Sequence, residues 1–237
     1  MSPNRAPFVT YDSTLLDHVS VGAASSAALN SIRVASVLFL TALTAAAAQV
    51  SVHLPFTPVP LTLQPMIVLV GAAALGSRLG AASQVLYLML GVAGMQMFAA
   101  SPILPQGIGR LLGPTGGYLM AYPIAALVTG LLAERGFDRR YLTSVVAMIA
   151  GLCVLFFGGV TWLAYFASAP GGPAGLQTAL ATGLYPFVVA DFIKVCIAGA
   201  ILPGMWATLG RSRFGDAPDG AANAAAALEM RDDHHAN

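Results

Sequence analysis

Six long apolar stretches make up most of this 237-residue chain and constrain its fold more than any other feature. A helix needs about 20 mostly apolar residues to cross a bilayer. Only 9% of the residues are charged, against about 25% in typical soluble domains. A soluble fold could not cover its surface with so few charges. The sequence therefore predicts an all-α integral membrane protein with six transmembrane helices, at residues 31–51, 61–77, 79–99, 114–134, 141–167 and 181–206.

The two ends of the chain differ in composition from the apolar part. Residues 1–30 read as a polar or interfacial N-terminal arm, and residues 207–237 are rich in Ala and in charged residues. Segments of the latter kind bury too little apolar surface to fold, so we expect a disordered tail. The membrane domain is then 31–206. No compact basic segment precedes an apolar one at the N-terminus, so no cleaved signal peptide is predicted.

The basic residues predict the orientation of the membrane domain. Cytoplasmic loops carry an excess of Lys and Arg, and an even number of spans places both termini on the same side. With six spans, Arg110 is the only basic residue on the opposite side, and Lys194 lies within a span. We therefore expect both termini to be cytoplasmic. The arginines on that side are Arg5, Arg33, Arg78, Arg135, Arg139, Arg140, Arg211, Arg213 and Arg231.

The loops on the outer side are predicted at 52–60, 100–113 and 168–180, and all three are rich in Pro or Gly. These residues set turns that lack regular hydrogen bonding. Irregular backbone survives at membrane level only when it packs in protein or lines a cavity. The loops therefore indicate either a cap over a binding mouth or ordinary surface turns.

Asp191 and Lys194, the only lysine of the chain, stand three residues apart in the last apolar stretch. This spacing places them on one face of a helix. A charge at membrane depth costs at least about 2.5–3.5 kcal/mol, so such residues pair with each other or serve a ligand or ion. Three interpretations remain open: an ion pair that packs helices, a proton relay of a solitary secondary transporter, and an acid–base pair of an intramembrane enzyme.

Other function classes find little support in the sequence. Neither H-E-x-x-H nor G-x-S-x-G occurs, so no enzyme signature is present. The phosphate-binding pattern G-x-x-x-x-G-K-[ST] is also missing, so any drive by ATP must come from partner proteins. A net charge of +1 argues against nucleic acid as a partner. We expect neither a cofactor nor a bound metal.

Three segments in one order suggest a particular family. They are TPVPLTLQ (57–64), LLGPTGGYLMAYPIAA (111–126) and DFIK (191–194). In this combination the chain closely resembles the BioY family over residues 30–206. Members of this family are the substrate-binding membrane subunits, or S components, of biotin transporters of the energy-coupling-factor class.

The resemblance implies a six-helix S-component fold that captures a vitamin from outside with high affinity. It also implies two kinds of partner, a membrane coupling subunit (the T component) and cytoplasmic ATP-binding-cassette ATPases, and a location in the bacterial inner membrane. Some family members transport without these partners, so a solitary proton-coupled transporter stays an alternative. Whether several copies associate is left open.

The resemblance gives the polar residues specific roles toward biotin. Asp191 would accept a hydrogen bond from a ureido N–H, and Lys194 would donate to the ureido oxygen. Thr62 and Gln64, at the start of the second predicted helix, would contact the ligand or the cap. As an alternative, they cap the helix.

Four further residues are candidates for the ligand site. Gly116 and Gly117 open the fourth predicted helix, whose N-terminal N–H groups suit a carboxylate; alternatively, they allow close helix packing. Tyr118 can donate its hydroxyl or stack on an apolar ring. Arg110 would pair with the biotin carboxylate or be a solvated loop residue.

Ala42 and Ala46 are the candidate partner interface. They lie four residues apart in the first predicted helix, and small residues at this spacing let helices approach closely in lipid. In S components an alanine face of this type on helix 1 meets the coupling subunit. The resemblance therefore assigns this face to the T component.

Overall fold

The computed structural model describes residues 14–16, 25–101, 104–167 and 172–215. Most of the predicted arm and tail, together with 102–103 and 168–171 in two outer loops, lies outside the described residues. The chain divides into two compact units, Met1–Pro203 and Gly204–Asn237. The helices that form the site belong to the first unit.

The described part is almost entirely helical. Its helices, numbered in chain order, are α1 (Ser26–Gln49), α2 (Gln64–Leu75), α3 (Ser77–Val92), α4 (Gly109–Leu112), α5 (Gly116–Leu132), α6 (Tyr141–Tyr165), α7 (Leu176–Gly183), α8 (Tyr185–Ala198) and α9 (Ile201–Gly215). A π-helical turn, Ala133–Phe137, follows α5 directly. Two short antiparallel strands, β1 (Ser51–Val52) and β2 (Leu61–Thr62), form a hairpin between α1 and α2.

Four helical segments of the described residues are long and apolar enough to cross a membrane. They are Ser26–Gln49, Gly116–Phe137, Tyr141–Tyr165 and Tyr185–Thr208. Helices also occur at the second and third predicted spans, but α2 has only 12 residues and α3 only 16, fewer than the roughly 20 that a straight crossing needs.

Local sequence explains why α2 and α3 are short. Part of the predicted second span forms β2 instead, and α2 begins only at Gln64, followed by Pro65, which is well suited to a first helical turn. The helix ends at Gly76, whose φ of 88° is in the region that favours glycine. Gly94, with a φ of 94°, follows the end of α3 in the same way.

The N-terminus of α3 is held by a side chain from another part of the chain. Glu134, in the π-helical turn after α5, accepts hydrogen bonds from the Ser77 amide at 2.7 Å and from the Ser77 hydroxyl at 2.8 Å. A carboxylate at this end of a helix satisfies free N–H groups and complements the helix dipole. The end of α5 and the start of α3 are therefore fixed together.

Helix α5 forms the centre of the bundle and packs against α6, α3 and α2. Its contact with α6 is very close, because a side chain at Gly117 would collide with Trp162 and with the Gly158 carbonyl. Toward α3, the ring of Tyr122 packs on that of Tyr87 with centroids 6.2 Å apart. The central position of α5 means that residues on its inner face can reach several other helices.

The hairpin loop contacts two distant segments of the chain. The Thr57 hydroxyl, in the hairpin loop, donates to the Thr182 carbonyl at the end of α7 at 2.6 Å. His53 Nε2 lies 3.0 Å from the Ala100 carbonyl in the second loop. The hairpin loop thus connects the end of α7 with the segment that follows α3.

Candidate ligand site

A cavity lies between the hairpin, α2, α5, α6 and α8. Aromatic and aliphatic side chains make most of its wall, and its polar groups are few, as is usual for small-molecule sites. The space between the lining atoms is about 680 Å³, the part open to solvent included, but only about 60 Å³ is wide enough for the centre of a water molecule. A ligand with a ring would therefore require the wall to move apart. The apolar wall includes Phe98, Leu119, Leu152, Leu155, Phe156 and Phe187; the polar lining residues include Thr62, Gln64, Arg110, Tyr118, Tyr122 and Asp191.

Asp191 and Lys194 form an ion pair on α8, in which the aspartate is buried and the lysine is half-buried. Lys194 Nζ donates to Asp191 Oδ1 at 2.7 Å and to the Thr62 carbonyl of β2, also at 2.7 Å. Asp191, which is 4% exposed, lines the cavity, whereas Lys194 is not among its lining residues. The second oxygen, Asp191 Oδ2, accepts no hydrogen bond from the described residues and is not fully enclosed. Lys194 thus fixes one carboxylate oxygen and leaves the other for a ligand.

Gln64 and Tyr87 join α2 to α3 behind the cavity wall. Gln64 Nε2 donates to the Tyr87 hydroxyl at 2.6 Å, and this hydroxyl donates to the Met97 carbonyl at 3.1 Å. Because the hydroxyl proton is used on Met97, the amide nitrogen of Gln64 must face Tyr87, and its oxygen points elsewhere. Gln64 is buried and lines the cavity. Gln64 thus brings an amide group to the cavity wall.

Arg110, in the short helix α4, is 5% exposed and borders two spaces. It lines the cavity and also the outer space beneath the hairpin, where His53 and Thr57 lie. Its Nη2 donates to the Ala99 carbonyl at 2.6 Å, and its Nε donates to the Pro105 carbonyl at 3.3 Å. Burial lowers the pKa of Arg110, yet a guanidinium stays protonated at neutral pH. A positive charge thus stands at the mouth of the cavity, and the solvated-loop alternative does not fit this burial.

The segment Gln96–Ala100, here called the 96–100 strap, has a side-chain donor within hydrogen-bond distance of every one of its carbonyls. The donors come from α1, the hairpin, α3, the second outer loop and α4. They are Gln49 to Gln96 and Phe98, Tyr87 to Met97, Gln106 to Phe98, Arg110 to Ala99, and His53 to Ala100. The strap supplies Phe98 and Ala99 to the cavity wall, so that part of the wall is main chain held from several sides.

The remaining candidates on α5 divide into two groups. Tyr118 lines the cavity, and its hydroxyl donates to the Gly183 carbonyl at 2.6 Å. Gly116 and Gly117 do not line the cavity; side chains there would collide with the Leu111 carbonyl and with Trp162, respectively. The packing alternative is thus the one that the structure supports for both glycines, and a direct contact with ligand stays a prediction.

Ala42 and Ala46 lie on the exposed side of α1, together with Phe39 and Leu43. The opposite side of α1 is buried against α2 and α3, partly through a hydrogen bond from the Thr41 hydroxyl to the Ser83 carbonyl at 3.0 Å. The two alanines are therefore available to a partner. Among the described residues, no group of His, Cys, Asp and Glu could hold a metal ion.

Sequence reasoning missed two polar contributors to the site, Tyr122 and Tyr87. Tyr122 lies four residues after Tyr118, which is one helical turn, and so shares its face of α5. That spacing inside the segment 111–126 could have identified it. Tyr87 had no comparable signal, because only its contact with Gln64, 23 residues away, brings it to the site.

Comparison with known proteins identifies the fold and the family. The crystal structure of the S-component for biotin from an ECF-type ABC transporter matches with a TM-score of 0.65 over 77% of this chain and 94% of that one, at 23% identity. The fold is therefore that of a transporter S component. The model of the BioY family matches residues 22–211, and this chain belongs to the BioY family.

Sequence relatives agree with this result. The probable biotin transporter BioY of Pyrococcus horikoshii is 41% identical over 165 residues, covering 70% of this chain and 90% of the relative. The biotin transporter BioY of Thermotoga maritima is 34% identical over 150 residues, covering 63% and 82%. The family consists of membrane transporter components and not of enzymes, so the prediction of a non-enzyme is confirmed and the enzyme alternative is wrong.

Proposed function

We propose that this protein is the biotin-binding S component of an energy-coupling-factor transporter and captures biotin from the outer side of the bacterial inner membrane. One observation carries the proposal: the cavity combines an open carboxylate oxygen of Asp191, an apolar wall, and the guanidinium of Arg110 at its mouth. Biotin has the matching parts, namely ureido N–H groups, an apolar bicycle and a carboxylate.

Each end of the ligand has a stated partner. Asp191 Oδ2 accepts from a ureido N–H, and the Lys194 ammonium, which already makes two bonds, has one proton left for the ureido oxygen. Arg110 pairs with the valerate carboxylate, which suits a planar guanidinium. Tyr118 packs on the ring, while Thr62 and Gln64 complete the wall. No cofactor takes part, and ATP is used only by the partner proteins.

The membrane arrangement follows from the same proposal. We place six spans within 31–206, with α2 and α3 as the two short crossings, and both termini in the cytoplasm. The excess of arginine on one side supports this orientation. The arm 1–30 and the tail 207–237 are then cytoplasmic.

Purified protein should bind biotin in one-to-one stoichiometry. Detergent-solubilised protein is freed of endogenous ligand and titrated with biotin in a calorimeter, with biotin methyl ester as the matched ligand that lacks the negative charge. We expect tight binding of biotin and weaker binding of the ester. Absence of heat and of any shift in melting temperature with biotin would contradict the proposed function.

The T component is proposed to bind the exposed face of α1. A Trp at Ala42 or Ala46 would hold a neighbouring helix away, because small residues at this spacing permit close approach. We expect Ala42→Trp and Ala46→Trp to lose co-purification with the coupling subunit while keeping biotin affinity. Met89→Trp, an exposed position on α3, is the control. Intact complexes in both alanine variants would move the interface elsewhere.

The drive for transport is tested in cells that need external biotin. With the T component and ATPases deleted, we expect uptake to fall to background. Uptake that persists without them and is abolished by a protonophore would instead identify the solitary proton-coupled transporter.

A further inference from the structure

Three tyrosine hydroxyls lie around the cavity, and two of them are used within the protein. The Tyr87 hydroxyl bonds to Gln64 and to the Met97 carbonyl, and the Tyr118 hydroxyl donates to the Gly183 carbonyl. The third belongs to Tyr122 on α5. None of the residues that the structure describes forms a hydrogen bond with the Tyr122 hydroxyl, although Tyr122 is only 4% exposed.

The unpaired hydroxyl of Tyr122 opens into the cavity. Tyr122 is one of the lining residues, and its oxygen is not among the fully enclosed polar atoms that lack a partner. A polar group in an apolar setting destabilises a protein unless it finds a hydrogen bond. Because the Tyr122 hydroxyl faces the cavity, an acceptor atom of a bound ligand can supply this missing hydrogen bond.

The surroundings of Tyr122 fix where that acceptor must lie. Its ring packs on Tyr87, with centroids 6.2 Å apart, so the ring has little freedom to turn. Asp191 lines the same cavity as Tyr122. The cavity therefore offers both a donor, Tyr122, and an open acceptor, Asp191 Oδ2.

We propose that Tyr122 donates a hydrogen bond to a carbonyl oxygen on the same end of the ligand whose N–H is bound by Asp191. A cyclic urea carries an N–H and a C=O on neighbouring atoms and fits such a pair. This assignment rests on the proposed function and adds Tyr122 as a residue that determines specificity for the oxygen of the ureido head.

Tyr122→Phe removes the hydroxyl and keeps the ring. The variant and wild-type protein are titrated with biotin and with 2-thiobiotin, in which sulfur, a weak acceptor, replaces the ureido oxygen. We expect the variant to bind biotin about 10- to 100-fold more weakly, the usual effect of losing one buried hydrogen bond to a ligand. The wild-type preference for biotin over 2-thiobiotin should be smaller in the variant, because the variant lacks the hydrogen bond from the Tyr122 hydroxyl to the ureido oxygen.

Melting temperatures without ligand separate this role from a structural one. Because the Tyr122 hydroxyl has no partner among the described residues, Tyr122→Phe should melt at the wild-type temperature or above. Tyr87→Phe is the control, since it removes a hydroxyl that bridges Gln64 and Met97, and it should melt lower.

Two results would overturn the role of Tyr122 while leaving biotin binding intact. One is wild-type affinity for biotin in Tyr122→Phe. The other is an equal loss for biotin and 2-thiobiotin, which would indicate an effect of cavity shape and not of the ureido oxygen. Failure of the wild-type protein itself to bind biotin would instead overturn the proposed function, and the inference with it.

Discussion

The double replacement Asp191→Asn with Lys194→Met should give a protein that folds stably and does not bind biotin. The two single replacements should lose both stability and biotin binding, because each leaves one charge of the pair without its partner. Removing one member of a buried pair destabilises a protein by about 3–5 kcal/mol, whereas replacing both charges is often close to neutral. Melting temperature and calorimetric titration with biotin, measured on all four proteins, check this prediction.

This comparison separates the two roles of the pair. If Asp191 and Lys194 only packed helices together, the double variant would recover both stability and biotin affinity. If Asp191 Oδ2 receives a ureido N–H, stability returns and affinity stays at least about 100-fold below wild type, as expected for a lost charged hydrogen bond. Wild-type affinity in the double variant would therefore remove the pair from the ligand site.

Arg110→Gln should weaken the binding of biotin by about 100-fold or more, and the binding of biotin methyl ester far less. Arg110 is a buried residue that lines the cavity, where the attraction of its charge to a carboxylate is less screened than at a surface. The ester keeps the ring and chain but has no negative charge to lose. Calorimetric affinities of both ligands for both proteins give the comparison directly.

The ester also controls for the structural contacts of Arg110. Because Arg110 holds the carbonyls of Ala99 and Pro105, its replacement disturbs the cavity wall for any ligand. Arg110→Lys keeps the charge without the planar fork and should lie between wild type and Arg110→Gln. An equal loss for biotin and its ester in Arg110→Gln would show that Arg110 supports the wall and does not bind the carboxylate.

Local spacing predicted those parts of the site that lie within one helix. Asp191 and Lys194 are three residues apart on α8, so their pairing follows from helical geometry alone. The second bond of Lys194 goes to Thr62, 132 residues earlier, and no pattern along the chain indicates it. That bond ties the ammonium to β2, so Lys194 also positions Asp191, in addition to the role toward the ureido oxygen that is proposed for it.

In the fold, too, local sequence predicts where helices form, whereas contacts with other segments decide where they end and how they pack. The apolar stretches predict helices at the right places, but they do not reveal where a helix shortens because of a neighbouring turn. Strands of two residues, such as β1 and β2, are too short to show alternation. Gly117 reads equally as an anion site or as a packing site, and only the position of Trp162 favours the second.

The way in which the 96–100 strap is held limits how selectivity could change in related proteins. Its carbonyls are bound by side chains from several elements, including Gln49 of α1 and Gln106 of the loop that follows the strap. A new ligand shape on this side of the cavity would need a displaced backbone, and that requires several of these anchors to change together. A change of specificity that depends on the main chain of the strap should therefore require coordinated replacement of several anchors.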